Sequence, residues 1–152
     1  MSVTQPQAIF GCRPNLLVSD LGASLRFYSD SLGFQVGWRW SDRQVGFLQD
    51  DDHSQPGEPG TALVGRDQAQ IILTQATGVH TTWLHLDIHT STQVDQLFQE
   101  WTDRGVLIAE PPTLRAWGMY EMRLRDPDGH LLRVSSPPGT TAAPVGPGSA
   151  GG

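Results

Sequence analysis

Ser19–Val36 reads SDLGASLRFYSDSLGFQV, and Thr90–Val106 reads TSTQVDQLFQEWTDRGV. In the first stretch Leu21, Leu25, Tyr28 and Leu32 recur every three or four residues, the spacing of one helical face. Asp20 and Ser24 are each suited to cap its start, and Gly33 to end it. In the second stretch Val94, Leu97, Phe98 and Trp101 share a face, and Gly105 follows. Leu25 and Leu97 each stand eight residues before the terminating glycine. Each glycine is followed by an apolar strand start, at Phe34 or Val106. The chain states one element twice.

The flanking segments repeat as well. Ile9 to Val18 reads as a strand, and FQVGWRW places Phe34, Val36, Trp38 and Trp40 on one face of another. RQVGFLQ, TALVGR and QAQIILTQ supply further short strands. In the second half, Trp83 to Ile88 is a strand and Thr90 to Arg104 the helix. VLIAEPP is a strand stopped by Pro111 and Pro112. MYEMRLRD sets Glu121 and Arg123 against Tyr120, Met122 and Leu124, and HLLRVSS closes the unit. Asp126–Gly129, DPDG, is a hairpin turn: proline presets φ, and Asp-Gly supplies positive φ. Strand, helix and three strands, given twice with a period of about seventy residues, is an α+β class with two βαβββ repeats. Each unit alone leaves one sheet face bare, so the two are expected to pair and cup around a shared concavity. The expected layout is one domain over 9–136, with repeats at about 9–76 and 80–136. A flexible N-terminus (1–8) precedes it, and a disordered Pro/Gly-rich tail (137–152) follows. Gln49–Gly60 reads as a long polar loop, its Asp50-Asp51-Asp52-His53 run a solvated surface.

All 10 basic residues are arginine, against 16 acidic ones, for a net charge of −6 in 152 residues. That balance argues against a nucleic-acid partner, which needs a basic footprint. The single cysteine, Cys12, excludes a disulfide framework and a Cys-based zinc ribbon, and is expected to be a small buried side chain. No stretch approaches the roughly 20 apolar residues of a membrane span, and the N-terminal residues do not read as a secretory signal. The expectation is a cytoplasmic protein with no membrane partner.

Two segments, PNLLVSDLGASLRFYSDSLGFQV and AWGMYEMRLRDPDGHLLRV, resemble the vicinal oxygen chelate superfamily, the glyoxalase/bleomycin-resistance fold. The resemblance spans roughly Gly11 to Pro137. It implies a cupped mixed sheet, paired in a dimer, and in the superfamily's enzymes a divalent metal held by His, Gln or Glu on four strands. Carried over one position at a time, the first ligand falls near Arg13 and the second on Ile72 or Leu73. The third is His85, and the last is Arg133. A guanidinium is a permanent cation that only donates, so it cannot ligate. One ligand position of four is kept, and no metal or other cofactor is expected.

With chelation set aside, the tryptophans carry the reading. Trp101 belongs to the core. Trp38 and Trp40 share a strand face, Trp83 leads the strand of His85, and Trp117 sits in a loop beside Arg115 and Gly118. A loop tryptophan next to glycine is suited to lid a cleft and stack on a flat ligand. The order TWLHL, QEW, then EPPTLRAWGMYEMRLRDPDG, is similar to the metal-free bleomycin-resistance branch. It implies a homodimer that sequesters an aromatic antibiotic or metabolite. The expected ligand-binding residues are Arg13, Trp38, Trp40, Trp83, Arg115, Trp117, Gly118, Tyr120 and Arg133. The acidic surface favours a cationic ligand. Arg13 and Arg133 favour an anionic or carbonyl-bearing one if they face the cavity, or else pair with Asp87 or Glu121. Two enzyme readings stand beside this: a metal-dependent glyoxalase, dioxygenase or isomerase built on His85, and a metal-free lyase or isomerase using Glu121, Tyr120 or His85 as acid-base groups.

Overall fold

The computed structural model of the protein describes residues 8–48 and 59–137. The N-terminus, the Asp50–His53 run and the tail beyond Pro137 lie outside the described residues. The first repeat runs β1 (Asn15–Val18), α1 (Leu21–Arg26) with a continuing turn of π-helix over Phe27–Ser31, β2 (Gln35–Ser41), the two-residue β3 (Gly46–Phe47), β4 (Gly60–Arg66) and β5 (Ala69–Gln75). The second runs β6 (Trp83–Asp87), α2 (Ser91–Asp103), β7 (Ile108–Leu114), β8 (Tyr120–Arg125) and β9 (Leu131–Ser136). The sheets are ordered β1-β5-β4-β2-β3 and β6-β9-β8-β7. In each, the first strand pairs parallel with the last, and the remaining neighbours are antiparallel.

The local signals act where the residues place them. The Asp20 side chain accepts from Ala23 N–H and caps α1; Thr90 and Gln93 form a reciprocal capping box on α2. Gly33 takes φ +80, and the guanidinium tips of Arg66 and Arg104 would meet any Cβ there at 2.8 and 2.9 Å. Three expectations need correction. Residues 8–14 are irregular, and Cys12 is exposed. Pro111 and Pro112 do not stop β7, because β7 is a sheet edge, where a missing N–H costs no ladder bond.

One apolar cluster joins both repeats. Leu21, Leu25, Tyr28 and Leu32 meet Ala62, Val64, Ile71 and Leu73 from the first sheet, and Val94, Trp101, Met122, Leu124, Leu132 and Val134 from the second unit. Trp101 is fully buried, and its indole N–H donates to the Leu32 carbonyl at 3.2 Å. Each helix also reaches the other repeat's last hairpin from an equivalent place, five residues before its terminating glycine. Tyr28 donates to Asp126 at 2.9 Å, while Glu100 receives a two-armed bond from Arg66 at 2.6 and 3.0 Å. Buried His130 completes the tie: Nδ1 accepts from Thr82 N–H, and Nε2 donates to the Leu17 carbonyl at 2.7 Å.

Burial, together with the Asp126 carboxylate, pushes the Tyr28 hydroxyl far above the usual tyrosine range. Burial and the bond to Asp95 push Tyr120 up to about 12. These are the chain's only two tyrosines, and it has no lysine. In the unfolded chain both ionise near pH 10. Above that pH the unfolded state binds fewer protons than the folded one, so stability falls as pH rises. Thermal denaturation between about pH 8 and 11.5, read beside tyrosinate absorbance, should show that decline. Tyr28→Phe should cost about 1–2 kcal/mol at pH 8 yet flatten the alkaline slope; an unchanged slope would contradict the assignment.

Candidate functional site

Each sheet buries one face against its helix and leaves the other open. On the first sheet a register shift between Val36 and Trp38 interrupts the alternation of β2 at Gly37. Val36 packs on the core, whereas Trp38 pairs with Leu63 and Trp40 with Thr61, outside the core cluster. Trp38 and Trp40 both meet the Phe47 ring edge-on, at 6.0 and 5.1 Å between centroids. The single-face reading of Phe34, Val36, Trp38 and Trp40 therefore splits in two. Further along the same strands a cavity of about 540 Å³ opens between Gly33, Gly37, Leu63, Gly65 and the Arg66–Glu100–Arg104 group.

On the second sheet the open face is polar and aromatic. The register sets Glu110, Arg123, Arg133 and His85 in one row across four strands. The next row along β8 is Glu121, Ser135 and Asp87. The Glu121 side chain is only 2% exposed and lies among three arginines. Arg133 donates to it through Nε and Nη2, the latter at 3.0 Å; Arg123 Nε donates at 2.6 Å, and Arg115 Nε stands at 3.7 Å. Glu110 in turn accepts from Arg115 at 3.2 Å and faces Arg123 Nη1 at 3.3 Å. The Arg133 guanidinium lies 5.6 Å from the Trp83 ring and 5.9 Å from the Trp117 ring, a cation–π arrangement with both. The two indoles are 64% and 57% exposed, so much of each ring faces solvent. Trp117 is carried by the β7–β8 turn, closed by Arg115 N–H to the Met119 carbonyl and Gly118 N–H to the Arg115 carbonyl. Gly118 adopts φ +95 there, so its part is to shape the turn.

The structure thus gathers Trp83, His85, Arg115, Trp117, Gly118, Glu121 and Arg133 in one region. Trp38 and Trp40 lie on the other sheet, and Arg13 is exposed ahead of β1. Tyr120 points the opposite way, toward α2, where its hydroxyl donates to Asp95 at 2.6 Å. Of the alternatives for Arg133, pairing with Glu121 and facing the open side both hold. Arg123 and Glu110 are members that sequence reading did not single out. The alternation of Arg123 with Met122 and Leu124 is visible in the sequence, but Glu110 faces it from another strand, β7.

Burial pushes the Glu121 carboxyl up, but hydrogen bonds from Arg133 and Arg123 outweigh it and hold the group below the usual carboxylate range. A carboxylate kept ionised by hydrogen bonds from two arginines is a poor proton acceptor. The donor set does not suit a divalent cation either. His85 stands opposite Arg133, Leu73 is buried in the core, and Ile72 pairs with Asn15. Among the described residues no group of three or more His, Cys, Asp or Glu side chains converges.

Glu121→Gln should lower stability at pH 7 by about 3 kcal/mol, since it leaves packed guanidinium groups without their counter-charge. The Glu121 carboxyl titrates lower when folded, so its contribution is present above about pH 4.5 and lost as pH falls through its folded value. The gap between wild type and variant in denaturant midpoint should therefore close in acid. A gap that persists below pH 3 would point to packing instead.

Among described residues no helix is long and apolar enough to cross a membrane. A comparison with curated protein sequences gives no significant match. Solved structures share the fold. A glyoxalase/bleomycin resistance protein/dioxygenase from Nocardioides is 19% identical with a TM-score of 0.63, covering 95% of this chain and 93% of that one. A bleomycin-binding protein complexed with bleomycin is 20% identical with a TM-score of 0.62, covering 84% and 98%. Lactoylglutathione lyase from Agrobacterium tumefaciens is 14% identical with a TM-score of 0.60, covering 87% and 96%. Residues 12–134 match the family description of the Glyoxalase/Bleomycin resistance protein/Dioxygenase superfamily, and with the paired repeats and their two open sheet faces this places the chain in that superfamily.

Proposed function

We propose that the protein is a metal-independent small-molecule binding protein that takes a planar ligand on the open face of its second sheet. A fold shared by a bleomycin-binding protein and a lactoylglutathione lyase does not choose between binding and catalysis, so the site must. The observation that carries the reading is Arg133 set between two exposed indoles and anchored by a buried carboxylate. Exposed tryptophan rings on a rigid strand and a tight turn are stacking surfaces, and their polar neighbours are already fixed in place. Two of the three acid-base candidates are already engaged, Glu121 by arginines and Tyr120 by Asp95, which leaves His85, exposed opposite Arg133, for an acid-base role.

A homodimer belongs to the same proposal. Leu17, Phe47, Trp83, Leu114 and Trp117 are large apolar side chains exposed on one chain. A second copy that set its first sheet against the second sheet of its partner would cover both and leave a groove between them. The ligand in this reading is an aromatic antibiotic or metabolite, held in the cytoplasm.

Thermal-shift screening with bleomycin and other planar aromatic antibiotics tests the function, with an EDTA arm in parallel. Binding should raise the melting temperature, survive EDTA, and weaken about tenfold in Trp83→Ala and Trp117→Ala. Stoichiometric Mn, Fe, Ni or Zn in the purified protein, or loss of binding with EDTA, would overturn the metal-independent reading. Sedimentation equilibrium should give twice the chain mass; a monomer at micromolar concentration would overturn the dimer.

A further inference from the structure

The charges on the second sheet's open face reverse what the whole chain suggests. The net charge is −6, but four of the acidic residues, Asp50, Asp51, Asp52 and Glu58, lie in the sequence between β3 and β4. On the open face itself Arg115, Arg123, Arg125 and Arg133 stand against Asp87, Glu110 and Glu121. The balance among these described residues of the face is positive.

The placement of the cations matters more than their number. Arg123 and Arg133 are directly opposite one another on paired strands, an arrangement of like charges that is unfavourable unless an anion lies between them. Glu121 supplies one anion from the next row of the same face, and both its oxygens are occupied: Oε1 by Arg133, Oε2 by Arg123. That leaves donors over. Arg133 bonds Glu121 through Nε and Nη2, and Arg123 uses Nε on Glu121 and Nη1 toward Glu110. Nη1 of Arg133 and Nη2 of Arg123 make no hydrogen bond among the described residues. Both arginine side chains are about four-fifths buried, so they are oriented by packing before any ligand arrives. In the row of Arg123 and Arg133 the carboxylate, Glu110, is spent on arginines, as is Glu121 in the next row, and Asp87 stands two strands away from Glu121 at the sheet edge.

We propose that the ligand of this face carries an anionic group, such as a carboxylate, on its planar ring system, seated on Arg123 and Arg133 with the ring against Trp83 or Trp117. This rests on the binding reading above and adds the charge class to it. A carboxylate matches the guanidinium donors in geometry, and a charge-assisted bond is about twice as strong as a neutral one.

The test uses three probes of one shape: 2-naphthoate, 2-naphthamide and 2-naphthylmethylammonium, titrated calorimetrically into the full chain. The anion should bind at least about tenfold more tightly than the amide, and the cation most weakly. Arg123→Met and Arg133→Met should each bring the anion and the amide to within about threefold. Arg26→Met, which removes an equal charge from the exposed end of α1, should keep the preference. Raising sodium chloride to about 0.5 M should narrow it in the wild-type protein, a readout independent of whether either variant folds. Equal or tighter binding of the amide or the cation overturns the charge assignment and leaves the planar-ligand reading standing. An equal loss in Arg26→Met also overturns it, because the preference would then be a property of overall charge. No binding of any of the three overturns both.

Discussion

One helix can cover one sheet face. Each repeat here has a single helix and a sheet of four or five strands, so one face of each sheet is left over by arithmetic alone. The two units meet through their helices and last hairpins, by Tyr28 on Asp126, Glu100 on Arg66 and the Trp101 indole on the Leu32 carbonyl. That single junction uses up the apolar faces and consigns the remaining sheet surfaces to solvent, a partner or a ligand. The proposed binding site lies on one of those remainders.

The two remainders are chemically unlike. The first carries Trp38, Trp40, Leu63 and Phe47, an apolar surface whose rings already meet each other edge-on. The second carries the arginine and glutamate rows with two indoles at their margin. A groove built from one of each would offer stacking on one wall and directed donors on the other, the mixture that gives a small-molecule site its orientation.

Much of this was legible in the chain. Two amphipathic helices ending in Gly33 and Gly105, with Leu25 and Leu97 each eight residues before the glycine, reveal the repeat, and DPDG reveals the last hairpin, because both signals are local and depend on backbone conformation at a few residues. What stayed hidden depends on register. The shift at Gly37 separates Trp38 and Trp40 from Val36, and an alternating pattern cannot reveal an extra residue in a strand. Pro111 and Pro112 read as a stop until β7 proved to be an edge. Arg115, Arg123 and Arg133 are up to eighteen residues apart, and only the pairing of β8 with β7 and β9 sets them around Glu121. Cys12 was misplaced because the buried habit of free cysteines is a general tendency, and the strand that would have carried it begins later, at Asn15.

The buried carboxylate invites a physical question: why keep an ion pair network where apolar packing would serve. Replacing a buried ionic cluster by well-packed apolar residues is often neutral or stabilising, so stability alone does not account for Glu121 and its three arginines. Pre-organisation does. An arginine free in solvent loses about 2 kcal/mol of rotamer entropy when a ligand fixes it, and binding sites that fix such groups in advance avoid part of that cost. Glu121 holds Arg133 between the indoles and Arg123 beside it, while Glu110 secures Arg115 at the turn that carries Trp117. In the proposed site the carboxylates would act on a ligand through the arginines, by holding donors and rings in one arrangement before anything binds.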